Sequence, residues 1–328
     1  MFTWLRAAFQ LIRPAQWVKN VFVFGAFLFG ADRSRPDLYL HALLMSLAAF
    51  GVFCALSGAV YAFNDLLDHK EDALHPTKKR RPVACGKLSP GAAAMIALIM
   101  AIGGAAVAWL MPQGFALTAG CYLLLNVFYT LWGKHRVLLD VIIIAIGFVL
   151  RALAGAQAIE VEVSAWLIIC TFTLCLFLGF GKRRCELATL GTAKQAASHR
   201  ATLAAYTPEL LTQLLSTTGG IAVITFLLYT LDPNTPSPGS LVFTTPLVFY
   251  AIFRYATVIG SGDHTGPTDI LINDRPFLFT AVLWTGLTAG LIFHSDWFER
   301  YLPRLRYPGE PPATTPVAPA TSPESKLH

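Results

Sequence analysis

Three oxygen-bearing side chains, Asn64, Asp68 and Asp72, are spaced four residues apart where a long apolar run ends. On an α-helix each step of four residues rises about 6 Å and turns about 40° past a full turn, so all three share one face. Tyr61 lies on the same face, one turn earlier. Amide and carboxylate oxygens suit Mg²⁺, which takes one or two carboxylates and shares its other positions with water and phosphate oxygens. The spacing therefore predicts a magnesium site.

A basic run at positions 78–81 follows these oxygens closely. The alternative to a metal site is a solvated helix end, on which the carboxylates simply face water. Carboxylates for a metal beside cations for phosphate favour a Mg–diphosphate site. Lys78 and Arg81 are therefore candidate phosphate ligands, whereas Lys79 and Arg80 could equally be solvated.

The composition places this site in a membrane protein. The chain has 328 residues, of which 55% are apolar and 13% are charged, and its mean hydropathy is +0.56. A soluble domain carries about 25% charged and 45–50% apolar residues. Too few charges are present to cover a water-soluble globule, which excludes soluble α/β enzymes and disulfide scaffolds. We expect an all-α integral membrane protein.

An apolar run of roughly 20 residues is long enough to cross a hydrocarbon core about 30 Å thick as a helix. Nine runs qualify and predict a bundle of nine transmembrane helices, of which the first is short. They are 15–31, 38–63, 90–111, 114–132, 137–159, 163–181, 209–231, 240–261 and 276–295. We expect residues 1–300 to form one transmembrane catalytic domain and the Pro-, Thr- and Ala-rich tail, 301–328, to be disordered.

Basic residues predict the orientation of the bundle, because lysine and arginine concentrate in cytoplasmic connections. The N-terminus, the segments 64–89 and 182–208 and two shorter connections hold most of the 25 lysines and arginines. We therefore expect a multi-pass protein of the cell (inner or plasma) membrane, with the N-terminus, the long cap loops and the active site cytoplasmic and the C-terminus outside. Topology and phosphate binding account for the net charge of +6 without a nucleic-acid partner.

The acidic motif resembles a known family. Asn64-Asp65-x-x-Asp68-x-x-x-Asp72, followed by His75-Pro76-x-Lys78-x-x-Arg81-Pro82, is similar to the first aspartate-rich motif of the UbiA prenyltransferase superfamily. The resemblance implies a nine-helix membrane enzyme that binds Mg²⁺ and a diphosphate in a bundle cavity. The family's second aspartate-rich motif is incomplete here. The stretch 129–140 keeps Asp140 but has Tyr129 and Lys134 where paired carboxylates would stand.

Four further pieces are similar to the branch of decaprenyl-phosphate phosphoribosyltransferases. They are Arg13-Pro14-x-Gln16-Trp17-x-Lys19-Asn20, Tyr129-x₄-Lys134, Gly147-Phe148-x-x-Arg151-Ala-x-Ala-Gly155 and Gly181-Lys182-Arg183-x-x-Glu186-Leu187. This resemblance, which runs from about residue 10 to 295, implies transfer of 5-phosphoribose from 5-phosphoribose 1-diphosphate to a polyprenyl (decaprenyl) phosphate. The nucleophile would already be an anion, and the sequence shows no Ser/His/Asp or Cys/His constellation that would activate another one.

Several single residues have both a functional and an ordinary interpretation. Lys19 contacts phosphate or anchors its segment at the membrane surface, and Tyr61 contacts the sugar or is an interfacial aromatic. Lys134 is a candidate for the lipid phosphate or the 5-phosphate. Arg151 lies inside a span, where a charge is expensive and therefore suggests function, unless a carboxylate pairs with it. Lys182 is a substrate ligand or stabilises the C-terminal end of its helix.

Two other activities remain as alternatives. A UbiA-type aromatic prenyltransferase would use a prenyl diphosphate, which the missing second aspartate pair disfavours. An anion transporter could line its path with Arg151 and Arg254, but its usual internal repeats are not detectable between the two halves. The oligomeric state is not predicted from the sequence.

Overall fold

The chain is mostly helical in the computed structural model, which describes residues 2–30, 35–74, 78–190, 201–232, 235, 239–261 and 266–293. These residues include no β-strand, so the predicted all-α class is confirmed. The α-helices are α1 (Phe2–Leu11), α2 (Gly25–Gly30), α3 (Pro36–Leu74), α4 (Pro90–Trp109), α5 (Gln113–Leu131), α6 (Leu139–Ala158), α7 (Ala165–Leu190), α8 (Pro208–Thr230), α9 (Thr245–Ser261), α10 (Pro267–Asn273) and α11 (Arg275–Phe293). Five 3₁₀ segments connect them: Pro14–Phe24, Lys78–Arg80, Gly133–His135, Ala201–Ala205 and Ser240–Thr244.

Within the described ranges, eight helical segments are long and apolar enough to cross a membrane. They correspond to the second to ninth predicted spans, and the count of nine is not confirmed. The first predicted span, 15–31, forms the 3₁₀ segment Pro14–Phe24 followed by the six-residue helix α2. The predicted domain end at residue 300 and the tail 301–328 lie outside the described residues.

The 3₁₀ segment Pro14–Phe24 packs between α3 and α6. It follows Arg13, whose φ of 51° turns the chain in the left-handed region after α1. Gly155 on α6 permits the close approach, because a Cβ at this position would lie 1.9 Å from the carbonyl oxygen of Val23. The buried amide of Asn20 donates to Ser57 Oγ on α3 at 3.2 Å. These contacts hold Lys19, one residue before Asn20, against the middle of the bundle.

The remaining helices pack as neighbours in sequence, with α3 against α4, α5 against α6, and α7 against both α6 and α8. One large apolar cluster joins α7, α8 and α9 through side chains such as Phe177, Leu211 and Tyr255. A second joins α3, α5 and α6 around Phe53, Phe115 and Tyr122. Many large apolar side chains remain exposed on the outside of the bundle, as expected for helices that face lipid.

Helix α3 is longer than a membrane crossing. Its 39 residues extend about 58 Å, nearly twice the thickness of a hydrocarbon core of about 30 Å. The polar residues 64–72 occupy its C-terminal part. This part of α3 lies at one end of the bundle, which we call the basic end. The basic end also contains the connections 78–89 and 132–138 and the C-terminal turns of α7.

Candidate active site

At the basic end, Asn64 and Asp68 direct oxygens toward one cation. Lys134, on the 3₁₀ turn Gly133–His135 after α5, places its Nζ 2.8 and 2.9 Å from Asp68 Oδ1 and Oδ2 and 3.4 Å from Asn64 Oδ1. The predicted one-face arrangement therefore brings these two oxygen donors together. Converging amide and carboxylate oxygens match the ligand chemistry of Mg²⁺. The two residues fit a metal ion at the point that the Lys134 ammonium takes.

Asp72, the third predicted ligand, has a different partner. Its Oδ2 accepts from Arg81 Nη1 at 2.5 Å, and the aspartate side chain is buried. Arg81 Nη1 also lies 3.3 Å from Asp65 Oδ1, to which Arg13 Nη2 donates as well. Alternating charges thus form a chain in the order Arg13, Asp65, Arg81, Asp72. This chain ties the residues after α1 and the connection after α3 to one face of α3.

Tyr61 lies beside this charged chain, and Tyr129 lies near Tyr61. The ring of Tyr61 is partly buried and stacks under the Arg13 guanidinium, whose Cζ is 5.1 Å from the ring centroid. Tyr129, near the C-terminal end of α5, is close enough to interact electrostatically with both Tyr61 and Arg183. Lys78 begins the 3₁₀ turn Lys78–Arg80 at the same end of the bundle and is partly buried. The aromatic rings and the cations could bind a phosphorylated sugar together.

A cluster of cations surrounds Lys19. Lys182, Arg151 and Arg13 all lie close enough to repel its ammonium. In the described part of the chain, the partly buried Lys19 has no hydrogen bond and no ion pair. Arg13 and Lys182 have carboxylate partners, Asp65 and Glu186, whereas Lys19 and Arg151 have none among the described residues. Two such charges side by side create a positive potential that favours an anion. This arrangement supports the phosphate-contacting interpretation of Lys19.

Arg151 is buried in α6 and binds only uncharged groups. Its Nε donates to Asn20 Oδ1, its Nη1 to the Gly147 carbonyl and its Nη2 to the Tyr122 hydroxyl, each at 2.8 Å. The guanidinium also lies over the Tyr122 and Phe148 rings. The carboxylate pairing considered from the sequence does not occur with any residue the structure describes. Its positive charge therefore remains available to attract an anion.

The remaining acid of the second motif, Asp140, belongs to a buried network. Arg183 Nε on α7 is 3.0 Å from Asp140 Oδ2, and Arg183 Nη1 donates to Glu186 at 2.5 Å. The Tyr206 hydroxyl donates to Asp140 Oδ1 at 2.8 Å and accepts from the backbone N–H of Leu138 at 2.8 Å. Burial, and then the charge of Asp140, raises the pKa of Tyr206, so its hydroxyl stays protonated as a donor.

Lys182 lies one residue before Arg183 on α7 and contacts the same glutamate, Glu186. Its Nζ is 3.8 Å from Glu186 Oε1, and about half of the side chain (51%) is exposed. Its stem runs beside Gly266, before α10. A lysine with this exposure can bend toward a phosphate at the basic end.

The structure therefore divides the sequence-predicted residues into groups. Asn64, Asp68 and Lys134 converge, whereas Asp72 and Arg81 pair with each other. A third group, on the positive side of the site, comprises Lys19, Arg151 and Lys182. Sequence reasoning missed Arg13 and Asp65 as members of the site, although Asp65 lies inside the acidic motif and Arg13 inside the Arg-Pro-x-Gln-Trp piece.

A helical membrane bundle whose one end combines clustered oxygen donors with the unpaired cations Lys19 and Arg151 is the arrangement expected of a membrane-embedded enzyme. The chain belongs to the UbiA prenyltransferase family, whose profile matches residues 20–296. The resemblance predicted from the acidic motif is thereby confirmed.

Relatives of known name share most of the chain. A decaprenyl-phosphate phosphoribosyltransferase from Corynebacterium glutamicum is 32% identical over 283 residues, covering 84% of this chain and 83% of the relative. One from Mycobacterium tuberculosis is 31% identical over 284 residues, covering 86% and 93%. A UbiA homologue from Archaeoglobus fulgidus, solved with GPP and Mg²⁺, superposes with a TM-score of 0.65 over 88% of this chain and 99% of its own. At 20% identity that likeness shows the fold.

Proposed function

We propose that this protein transfers 5-phosphoribose from 5-phosphoribose 1-diphosphate to a polyprenyl (decaprenyl) phosphate and releases diphosphate. The proposal rests on the position of Lys134, whose ammonium lies within 2.9 Å of the Asp68 carboxylate. The superfamily's prenyltransferases carry acidic residues at this position. The names of the relatives that cover most of the chain support the same assignment.

The reaction makes one bond and breaks one. A phosphate oxygen of the lipid bonds to ribose C1 while the bond from C1 to the diphosphate oxygen breaks, and the electron pair leaves with diphosphate. The nucleophile is already an anion, so no proton has to be removed. The site must instead align two anionic substrates and stabilise the charge that develops on the departing diphosphate.

Asn64 and Asp68 would hold Mg²⁺, and Asp72 would join them when Arg81 turns to a substrate phosphate. The metal would supply Lewis-acid stabilisation of the leaving diphosphate. Because a lysine and a divalent cation cannot share the same oxygens, Lys134 would move from Asp68 to a phosphate when the site is loaded. That phosphate is either the lipid phosphate or the 5-phosphate of the donor.

The cations around Lys19 would bind the second anionic group. Lys19 has a partly buried ammonium among other cations, and Lys182 can reach the same space from α7. Arg151 would act through its buried charge and by holding Asn20 beside Lys19. Lys78 and Arg81 would contact phosphates from the connection after α3, while Tyr61 and Tyr129 would contact the ribose.

The arrangement in the membrane forms part of the proposal. We place the protein in the cell (inner or plasma) membrane with its N-terminus and its basic end in the cytoplasm and its C-terminus outside, because lysine and arginine concentrate at that end. A water-soluble donor would enter from the cytoplasm, and the lipid phosphate would lie at the same membrane surface.

The test uses purified protein with labelled 5-phosphoribose 1-diphosphate, Mg²⁺ and polyprenyl phosphate. We expect a labelled lipid product and free diphosphate in equal amounts. Asp68→Asn should reduce the rate at least about 100-fold, while the protein remains folded. Asp37→Asn, an exposed aspartate in the first turn of the same helix, is the matched control and should keep full activity.

Two outcomes would contradict the proposal. Turnover of a prenyl diphosphate with an aromatic acceptor, without any labelled glycolipid, would identify an aromatic prenyltransferase. Anion flux into proteoliposomes that Asp68→Asn leaves intact, again without glycolipid, would identify a transporter.

A further inference from the structure

A groove of about 670 Å³ lies between α7, α8 and α9, away from the acidic motif. Its walls are mostly apolar, and several of the side chains that form it, such as Ile224 (58% exposed) and Phe253 (62% exposed), face the outside of the bundle. The volume is in the range of about 300–1,000 Å³ that ligand sites occupy. The groove therefore opens toward the hydrocarbon region that surrounds the bundle.

The polar members of the groove are all at one end. Arg184 on α7 and Thr212 and Ser216 on α8 line it near the basic end, whereas the rest of its length is apolar. The lining residues of α8 extend from Thr212 to Leu227, which corresponds to about 22 Å along the helix axis. A long apolar channel with a cation at its headgroup end matches the shape and charge of an anionic lipid.

Arg184 differs from the two basic residues that precede it. Lys182 and Arg183 both pair with Glu186, but Arg184, which is partly buried, has neither an ion pair nor a hydrogen bond to any described residue. At 100° per residue, Arg184 lies about 200° around α7 from Lys182. Lys182 faces the cations near Lys19, so Arg184 points away from the candidate active site.

Two glycines keep the groove open. A Cβ at Gly220 on α8 or at Gly260 on α9 would meet no atom within 4 Å, and both residues line the groove. A larger side chain at either position would project into this open space without a clash at its first carbon. These positions therefore allow the groove to be filled while the packing between helices is left unchanged.

We propose that the groove binds one acyl chain of an anionic bilayer phospholipid, with the lipid phosphate at Arg184. Apolar walls that face hydrocarbon suit the chain, and a cation near the headgroup level attracts an anionic phosphate. The polyprenyl phosphate acceptor is not the occupant, because α7 separates Arg184 from the face that carries Lys182. The proposal is independent of the reaction assigned to the active site.

Native mass spectrometry of the purified full-length chain tests the proposal. We expect one phosphatidylglycerol to be retained at least about fivefold more than phosphatidylcholine with the same chains. Arg184→Gln should remove this preference and leave weak binding of both lipids, while Gly220→Leu and Gly260→Leu should each abolish retention. Gly286→Leu on α11 is the matched control, because its added Cβ also meets no atom within 4 Å and it lies outside the groove.

Unfolding temperatures of all variants identify any that fail to fold, and the two groove-filling glycine variants, on different helices, serve as independent tests. Three results would overturn the proposal: equal retention of phosphatidylglycerol by the wild type and the folded groove variants, stronger retention of polyprenyl phosphate than of phosphatidylglycerol through Arg184, or a dimer mass that Gly220→Leu removes. The last result would assign the groove to a second copy of the chain.

Discussion

The ammonium of Lys134 lies 2.8 and 2.9 Å from the two carboxylate oxygens of Asp68 and 3.4 Å from Oδ1 of Asn64. The oxygens that we propose as metal ligands are therefore neutralised by a cation of the same chain. Both partners are partly buried, with side-chain exposures of 15% and 25%, so solvent screens the pair only in part. A metal ion that enters here must first displace Lys134.

Lys134→Met should therefore strengthen metal binding and weaken catalysis. Without the competing ammonium, the affinity for Mn²⁺, measured by electron paramagnetic resonance, should rise roughly tenfold, which corresponds to about 1.4 kcal/mol. Phosphoribosyl transfer should fall because a phosphate loses its cation. Lys79→Met, an exposed lysine on the neighbouring 3₁₀ turn, should change neither quantity.

The opposite result for Mn²⁺ would be decisive. If Lys134→Met left the affinity for Mn²⁺ unchanged or reduced it, the lysine would not compete with the metal. A cation bound by Asn64 and Asp68 would then not occupy the position of the Lys134 ammonium. A lower rate of phosphoribosyl transfer, without tighter Mn²⁺ binding, would not show that Lys134 competes with the metal.

The second prediction concerns Asp72 and Arg81, whose 2.5 Å contact sets this aspartate apart from the other two predicted ligands. In a double-mutant cycle with Asp72→Asn and Arg81→Gln, the free energies of unfolding should show a coupling of about 1–3 kcal/mol. A matched cycle with Asp68→Asn and Arg81→Gln should be additive, because Asp68 binds Lys134 instead. Equal coupling in both cycles would contradict the separate pairing.

The helix face that carries the acidic stripe could be predicted from the sequence, because a four-residue spacing determines angular position on an α-helix. The residues that pair with the carboxylates on that face could not be predicted. Asp68 meets Lys134 and Asp65 meets Arg13 across separations of 66 and 52 residues. Such pairs depend on how distant elements pack, and no local pattern encodes that packing. The same applies to Arg183, whose pairing with Asp140 joins α6 and α7.

The first span shows a different limit of sequence reasoning. Length and apolar content predicted a helix over 15–31, but the segment adopts 3₁₀ geometry from Pro14 to Phe24. Its close packing against Gly155 and the buried hydrogen bonds of Asn20 replace the regular pattern of an isolated helix. Hydropathy measures transfer into lipid and carries no information about these contacts with neighbouring helices.

The third prediction concerns Arg151, for which lysine is not a conservative replacement. Lysine cannot reproduce the planar fork that serves Asn20, the Gly147 carbonyl and the Tyr122 hydroxyl together. Arg151→Lys should lower the free energy of unfolding by about 2–4 kcal/mol, because buried polar groups lose their partners. Arg80→Lys, at an exposed arginine, should change it by less than about 0.5 kcal/mol. Denaturant unfolding in detergent gives both values, and equal values would contradict the structural role of Arg151.

The last prediction concerns Tyr206, which links the fold to the placement of Lys134. Its hydroxyl binds buried Asp140 and the backbone N–H of Leu138, and Leu138 ends the connection that carries Lys134. Tyr206→Phe should lower the free energy of unfolding by about 1–3 kcal/mol, because Asp140 and Leu138 each lose a buried partner.

Since the connection would then be held less firmly, we also expect a raised KM for the phosphorylated substrates. The matched control is Tyr250→Phe, at an exposed tyrosine (47%) on α9, which should alter neither stability nor KM. A loss of stability with an unchanged KM would show that Tyr206 supports the fold without positioning Lys134. A raised KM at unchanged stability would show that Tyr206 positions Lys134 without supporting the fold. No change in either quantity would contradict both roles, because the two hydrogen bonds at 2.8 Å would then contribute nothing measurable.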